Sequence, residues 1–154
     1  MVCLGNICRS PTAEVVLRAE LDQVGLDGKV LVDSAGTGDW HLGEPIHPGA
    51  GAELARHGYD GSAHRARQIE RSWLAGYDLL LAMDQRNLAT LRRLAVGDPQ
   101  LTGRIQLLRS FDPDSEPAAE VPDPYEGSEA EFGEVFEMVE PAARGIAHQL
   151  AAML

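Results

Sequence analysis

Apolar positions follow two rhythms along the chain. Val15, Val16, Ala19 and Leu21 recur at roughly helical spacing. A helix is therefore expected from Ser10, which can cap it, with Pro11 in its first turn, to about Val24, ending near Gly25. Pro48 to His57 reads as a helix that stops near Gly58, and Gln68 to Ala75 as a short one. Glu129 to Leu154 forms a long final helix, with Phe132, Val135, Phe136 and Val139 on one face and Pro141 expected to kink or interrupt it. The second rhythm is the short apolar run. Tyr77 to Met83 (YDLLLAM) suits a buried parallel strand, after which Asp84 can cap a helix to about Leu94. Lys29 to Asp33 (KVLVD) and Arg104 to Leu108 read as further strands, the first halted by Ser34-Ala35-Gly36. Thr37 to His47 and the proline-rich Ser110 to Glu126 remain as loops. Strands alternating with helices predict an α/β fold with a parallel sheet, and ligands in such folds sit at the carboxyl ends of the strands.

At 154 residues the chain suits a single domain, 1–154, able to bury a core without staples. The net charge of −11 argues against nucleic acid and against an anionic membrane surface as partners. No apolar run reaches the length of a membrane span, and no charged leader precedes an apolar stretch. A cytoplasmic place of work is expected, with non-classical export left open. Cys3 and Cys8 are the only cysteines, too few for a structural zinc site or a disulfide framework. No metal and no cofactor is expected. What remains is either a pair of buried thiols or a reactive one.

The opening MVCLGNICRSPTAE favours the reactive thiol. Five residues separate Cys3 from Arg9, a length that lets Leu4, Gly5, Asn6, Ile7 and Cys8 curl with their N–H groups pointing inward as a nest for an anion. Gly5 and Asn6 tolerate the positive φ that such a curl needs. The helix beginning at Ser10-Pro11 adds its positive end, and the planar fork of Arg9 can hold two phosphoryl oxygens. The same field is expected to make Cys3 a thiolate nucleophile. Spacing alone is weak, because a strand–turn–helix corner with an incidental cysteine has the same pattern. Attack on a phosphate ester also needs a general acid for the leaving group. Asp123 in VPDPYEG is the candidate, expected to be partly desolvated by its flanking prolines and aromatic, although the motif alone also reads as a surface turn.

CLGNICRSPTAE, SAGTGDWHLGEP, HRARQ, AMDQRN and PDPYEG occur in the order and spacing of low-molecular-weight protein tyrosine phosphatases, and the chain resembles that family, its actinobacterial members above all, over nearly its whole length. The resemblance implies a three-layer sandwich whose central, mostly parallel sheet has four strands, with helices on both faces. It implies Cys3 as the nucleophile of a phosphocysteine intermediate, Arg9 as the phosphoryl clamp and Asp123 as general acid and then base. Ser10 would hydrogen-bond the thiolate, and Asn6 would hold the loop, tied to Ser34 and His64. Asp84 would be an acidic partner near that histidine. Read alone, His64 is an ordinary core or surface histidine and Asp84 a helix cap. Trp40 and Tyr125 match aromatics that wall a slot deep enough for phosphotyrosine but not for phosphoserine; Trp40 alone also reads as a core-edge aromatic. Cys8 matches a second loop cysteine able to pair with Cys3 and silence the enzyme reversibly, or is a spectator. Expected partners are tyrosine-phosphorylated proteins, with phosphate as product and a monomer or weak dimer as the working form.

Glu126, after Asp-Pro-Tyr, departs from the family pattern and puts a negative charge at the rim, which disfavours acidic peptides. Only Met1 and Val2 precede Cys3, where relatives carry a central strand. The first strand is thus largely missing, and Met1 is expected to be internal to it. Arsenate reductases of this fold need further cysteines that the chain lacks. Phosphoarginine phosphatases tend to carry Thr where Ile7 stands, and Ile7 suits a phenyl ring better.

Overall fold

The computed structural model describes residues 1–154. Its sheet has four strands in the order β2-β1-β3-β4: β1 Val2–Cys3, β2 Ala35–Gly36, β3 Leu80–Ala82 and β4 Ile105–Leu107. All pairings are parallel, so the expected mostly parallel sheet is wholly so. β1 holds the central place with two residues, Val2 opposite Ala35 and Ala82, and Cys3 opposite Gly36.

The strand period of two sorts side chains between the layers. Cys3, Leu81 and Met83 face α1 (Arg9–Gln23) and α5 (Glu129–Met153), where they join Val16, Leu17, Phe136 and Ile146. Val2, Leu80 and Ala82 face α3 (Gln85–Leu94) and pack on Leu88, Leu91 and Leu74. α2 (Pro48–Arg56) covers the loop beside the first layer through Ala50, which clusters with Ile7, Cys8 and Phe132 of α5. Helices on both faces make the three-layer sandwich.

Several elements differ from expectation. Lys29–Asp33 forms no strand; the strand is Ala35–Gly36, inside the segment expected to halt it. The earlier segment satisfies its carbonyls elsewhere, that of Val32 from Arg18 and that of Asp33 from the Met1 amino group. Residues 67–69 run alongside β2, with Gly36 N–H donating to Arg67 O and Ile69 N–H to Gly36 O, and only Arg71–Gly76 turns, as a 3₁₀ segment. A short helix, α4 (Pro99–Thr102), was not anticipated, although Asp98 caps it and proline opens it. α5 runs through Pro141 as one element. Val139, Ala142 and Ala143 on either side are buried, and their packing offsets the roughly 3 kcal/mol that an interior proline costs.

Candidate active site

β1 ends where the sheet's carboxyl edge meets the N-terminus of α1, and Cys3 to Ser10 fill the corner. Cys3 Sγ lies 2.9 Å from Ser10 Oγ and accepts the N–H of Asn6 at 3.3 Å. Asn6 is fully buried with φ +58°, the left-handed conformation that asparagine tolerates. Gly5 tolerates positive φ as well, but within the loop only Asn6 adopts it. Its Oδ1 accepts the Arg67 N–H at 2.8 Å, which fixes the amide orientation, because a backbone N–H only donates. Nδ2 then donates to Ser10 Oγ at 2.8 Å and to Ser34 Oγ at 3.0 Å. With that lone pair engaged, the Ser10 hydroxyl is free to direct its proton at Cys3. The Asn6 carbonyl accepts from His64 Nε2 at 2.5 Å, so the loop is gripped from both sides.

Ser10 is not the helix cap. α1 begins at Arg9, no side chain caps it, and Ser10 serves the sulfur instead. The first-turn N–H groups therefore keep their full positive end directed at the loop. Arg9 is 2% exposed, and its Nη1 donates to Asp84 Oδ2 at 2.7 Å and to the Val121 carbonyl at 2.9 Å. Those bonds occupy one corner of the guanidinium and leave the Nη2–Nε edge, with Nη2 3.8 Å from Asp123 Oδ2. Asp84 thus pairs with Arg9 and caps α3 through Asn87 N–H, and is no partner of His64. The histidine's bond goes to the loop carbonyl, and burial pushes its pKa below the ordinary value.

A cleft of about 200 Å³ opens over the sulfur, lined by Cys3 to Gly5, Ile7 to Arg9, Trp40, His41, Asp123 and Tyr125. The Trp40 ring lies over Gly38, where an added Cβ would fall 1.8 Å from ring carbon Cζ3. Trp40 is 67% exposed at the rim and not a core-edge residue. The Tyr125 ring is 5.5 Å from both His41 and His47. Asp123 is exposed, its Oδ1 accepting only the Tyr125 N–H at 3.1 Å, so the expected desolvation by the prolines does not occur. Neither cysteine is in a disulfide, and burial raises Cys8 to about 12.

The sequence reading missed His41, whose only signal was its place beside Trp40. It also missed Gly36, where a Cβ would stand 2.7 Å from the Leu4 carbonyl, so that only glycine lets β2 approach the loop. Among the side chains, no cluster of acidic, histidine or cysteine groups could hold a metal ion.

The family model for low-molecular-weight phosphotyrosine protein phosphatases matches residues 1–153. A low-molecular-weight protein-tyrosine-phosphatase of Streptomyces coelicolor is 49% identical over 146 residues, covering 94% of this chain and 88% of that protein. Phosphatase A of Mycobacterium tuberculosis is 44% identical over 146 residues, covering 94% and 86%. The crystal structure of a protein tyrosine phosphatase from Entamoeba histolytica superposes with a TM-score of 0.91 at 32% identity, covering 99% and 95%. A sheet corner carrying a buried thiol, an arginine fork and an uncapped helix start, together with these likenesses along the whole chain, shows that it belongs to the low-molecular-weight protein-tyrosine-phosphatase family and is a hydrolase.

Proposed function

We propose that residues 1–154 act as one phosphatase domain that hydrolyses phosphotyrosine in proteins in two steps. The Cys3 thiolate attacks phosphorus in line, the phosphorus–oxygen bond to the aryl group breaks, and Asp123 gives its proton to the leaving phenoxide. The phosphoryl oxygens lie on the loop N–H groups, the start of α1 and the free edge of Arg9, which stabilise charge as it develops. The Asp123 carboxylate then takes a proton from water, the water oxygen attacks phosphorus, and the sulfur–phosphorus bond breaks. The Ser10 hydroxyl stabilises the departing thiolate, and phosphate and the re-protonated Asp123 remain.

The observation that carries this reading is the Cys3 sulfur held by Ser10 Oγ at 2.9 Å beneath a cleft shared by Arg9 and Asp123. Trp40 and Tyr125 wall that cleft and Ile7 lines it, surfaces suited to a phenyl ring. Cys8 stays protonated near neutral pH because burial raises it to about 12, so a Cys3–Cys8 bond forms only if Cys3 is oxidised first and the Cys8 thiol then closes on it. No helix is long and apolar enough to cross a membrane.

The test is turnover of p-nitrophenyl phosphate and phosphotyrosine peptides. Cys3→Ser is expected to abolish it. Full activity in that variant overturns the mechanism, and faster release of phosphate from phosphoarginine than from phosphotyrosine moves the substrate class.

A further inference from the structure

A second cavity, of about 240 Å³, shares no residue with the catalytic cleft. His64, Ser34 and Arg67, which grip Asn6, all belong to its wall. The cavity is polar and balanced in charge. Arg18 pairs with Glu14 at 2.9 Å, and Arg67 lies 3.9 Å from Asp33. Two groups of opposite sign are left over. The Arg65 guanidinium bonds only the carbonyls of Ser62 and His64, and Asp60 accepts the Ser62 N–H without any cation. His64 adds a third polar group. A carbonyl only accepts, so Nε2 carries the proton to Asn6, and burial favours the neutral ring, which leaves Nδ1 as an acceptor with no partner in the protein. Arg65 and Asp60 are exposed at the cavity's mouth, where one cation and one anion without ionic partners match the two charges of a zwitterion better than either bare ion.

We propose that this cavity binds a small zwitterion of the α-amino-acid class, its carboxylate on Arg65 and its ammonium between Asp60 and His64 Nδ1. Because His64 also holds the Asn6 carbonyl, occupancy reaches the catalytic loop, and an anion in the cleft must change the zwitterion's affinity by the same factor as the reverse. The binding stands apart from the phosphatase reading; the effect on turnover rests on it.

The test is NMR titration of the full chain with free glycine or free L-serine, with acetate and methylammonium as half-ligands. Saturable shifts are expected at the amides of Asp60, His64 and Arg65 and at the Asn6 side-chain amide. Affinity should drop about tenfold or more for either half-ligand and in Arg65→Gln or Asp60→Asn, whose fold is checked by circular dichroism. Acetate binding as tightly as glycine, shifts confined to Trp40 and Tyr125, or full affinity in both folded variants overturns the proposal. The kinetic arm reads KM for p-nitrophenyl phosphate with and without glycine. A KM change lost in Arg65→Gln supports the coupling, and an unchanged KM alongside intact shifts overturns the coupling alone. No turnover by the unmodified protein alongside intact shifts overturns the phosphatase reading alone.

Discussion

Asn6, on the floor of the cleft, is fully buried and takes part in hydrogen bonds with Cys3, Ser10, Ser34, His64 and Arg67. Asp123, on its wall, has a side chain 42% exposed and accepts one, from its own loop. The acid loop is anchored behind Asp123, where Val121 N–H donates to Met83 O and its carbonyl accepts from Arg9. In the proposed reaction the two regions handle different particles. Holding a phosphoryl group through its transition state demands donors already in place, since any reorganisation at that moment is lost stabilisation. Moving a proton to a leaving group and then from a water demands access to both, which suits Asp123, at the open side, to the proposed role of acid. The rigid region is over-determined, whereas the exposed one is held by a single anchored residue and the turn after it.

The contrast can be broken most severely at the acid. Asp123→Ala is expected to lower kcat about 10²–10⁴-fold while leaving the urea midpoint unchanged. A shifted midpoint in that variant would mean that the acid also holds the fold. On the floor, Asn6→Ala should reverse the balance and lower stability by about 3 kcal/mol, from three lost side-chain bonds and alanine at positive φ, with the denaturant slope m unchanged. A loss below about 1 kcal/mol would show that the loop is not over-determined. Asp84→Asn keeps a cap for α3 but removes the carboxylate from buried Arg9. A cost of about 2 kcal/mol and a raised KM are expected, the latter because the fork loses its fixed orientation.

The smallest effect sharpens the comparison through pH. His64 has its native pKa lowered by burial, so the unfolded chain binds more protons at that site. Stability should therefore fall as pH drops below the ordinary histidine value near 6.5 and towards the lower native one. Above that range the contribution is constant. In His64→Gln, urea midpoints between pH 5 and 7.5 should lose this slope; an unchanged slope assigns it to other groups.

The helices were legible because each carries its pattern locally: Phe132, Val135, Phe136 and Val139 lie on one buried face of α5 as their spacing implies. β2 was not legible, because a two-residue strand has no periodicity and Leu31 and Val32 mimic one. Their alternation, exposed then buried, belongs to a chain whose carbonyls are satisfied by side chain and terminus. The resemblance set Asp84 near His64, whereas its carboxylate meets Arg9, since a motif names a residue without saying which cation it meets.

The sequence by itself determined the chemistry of the opening loop. Cys3, Asn6, Arg9 and Ser10 lie within eight positions, so the turn, the helix start and the residue types that suit an anion are all local. Tertiary structure alone decided what holds that loop to its task. Arg9 is oriented by Asp84 and Val121, 75 and 112 residues away, and Asn6 by Ser34, His64 and Arg67. Local pattern fixes a residue's conformation and its element, whereas these partners meet only because parallel register brings the carboxyl ends of β1, β2 and β3 to one edge.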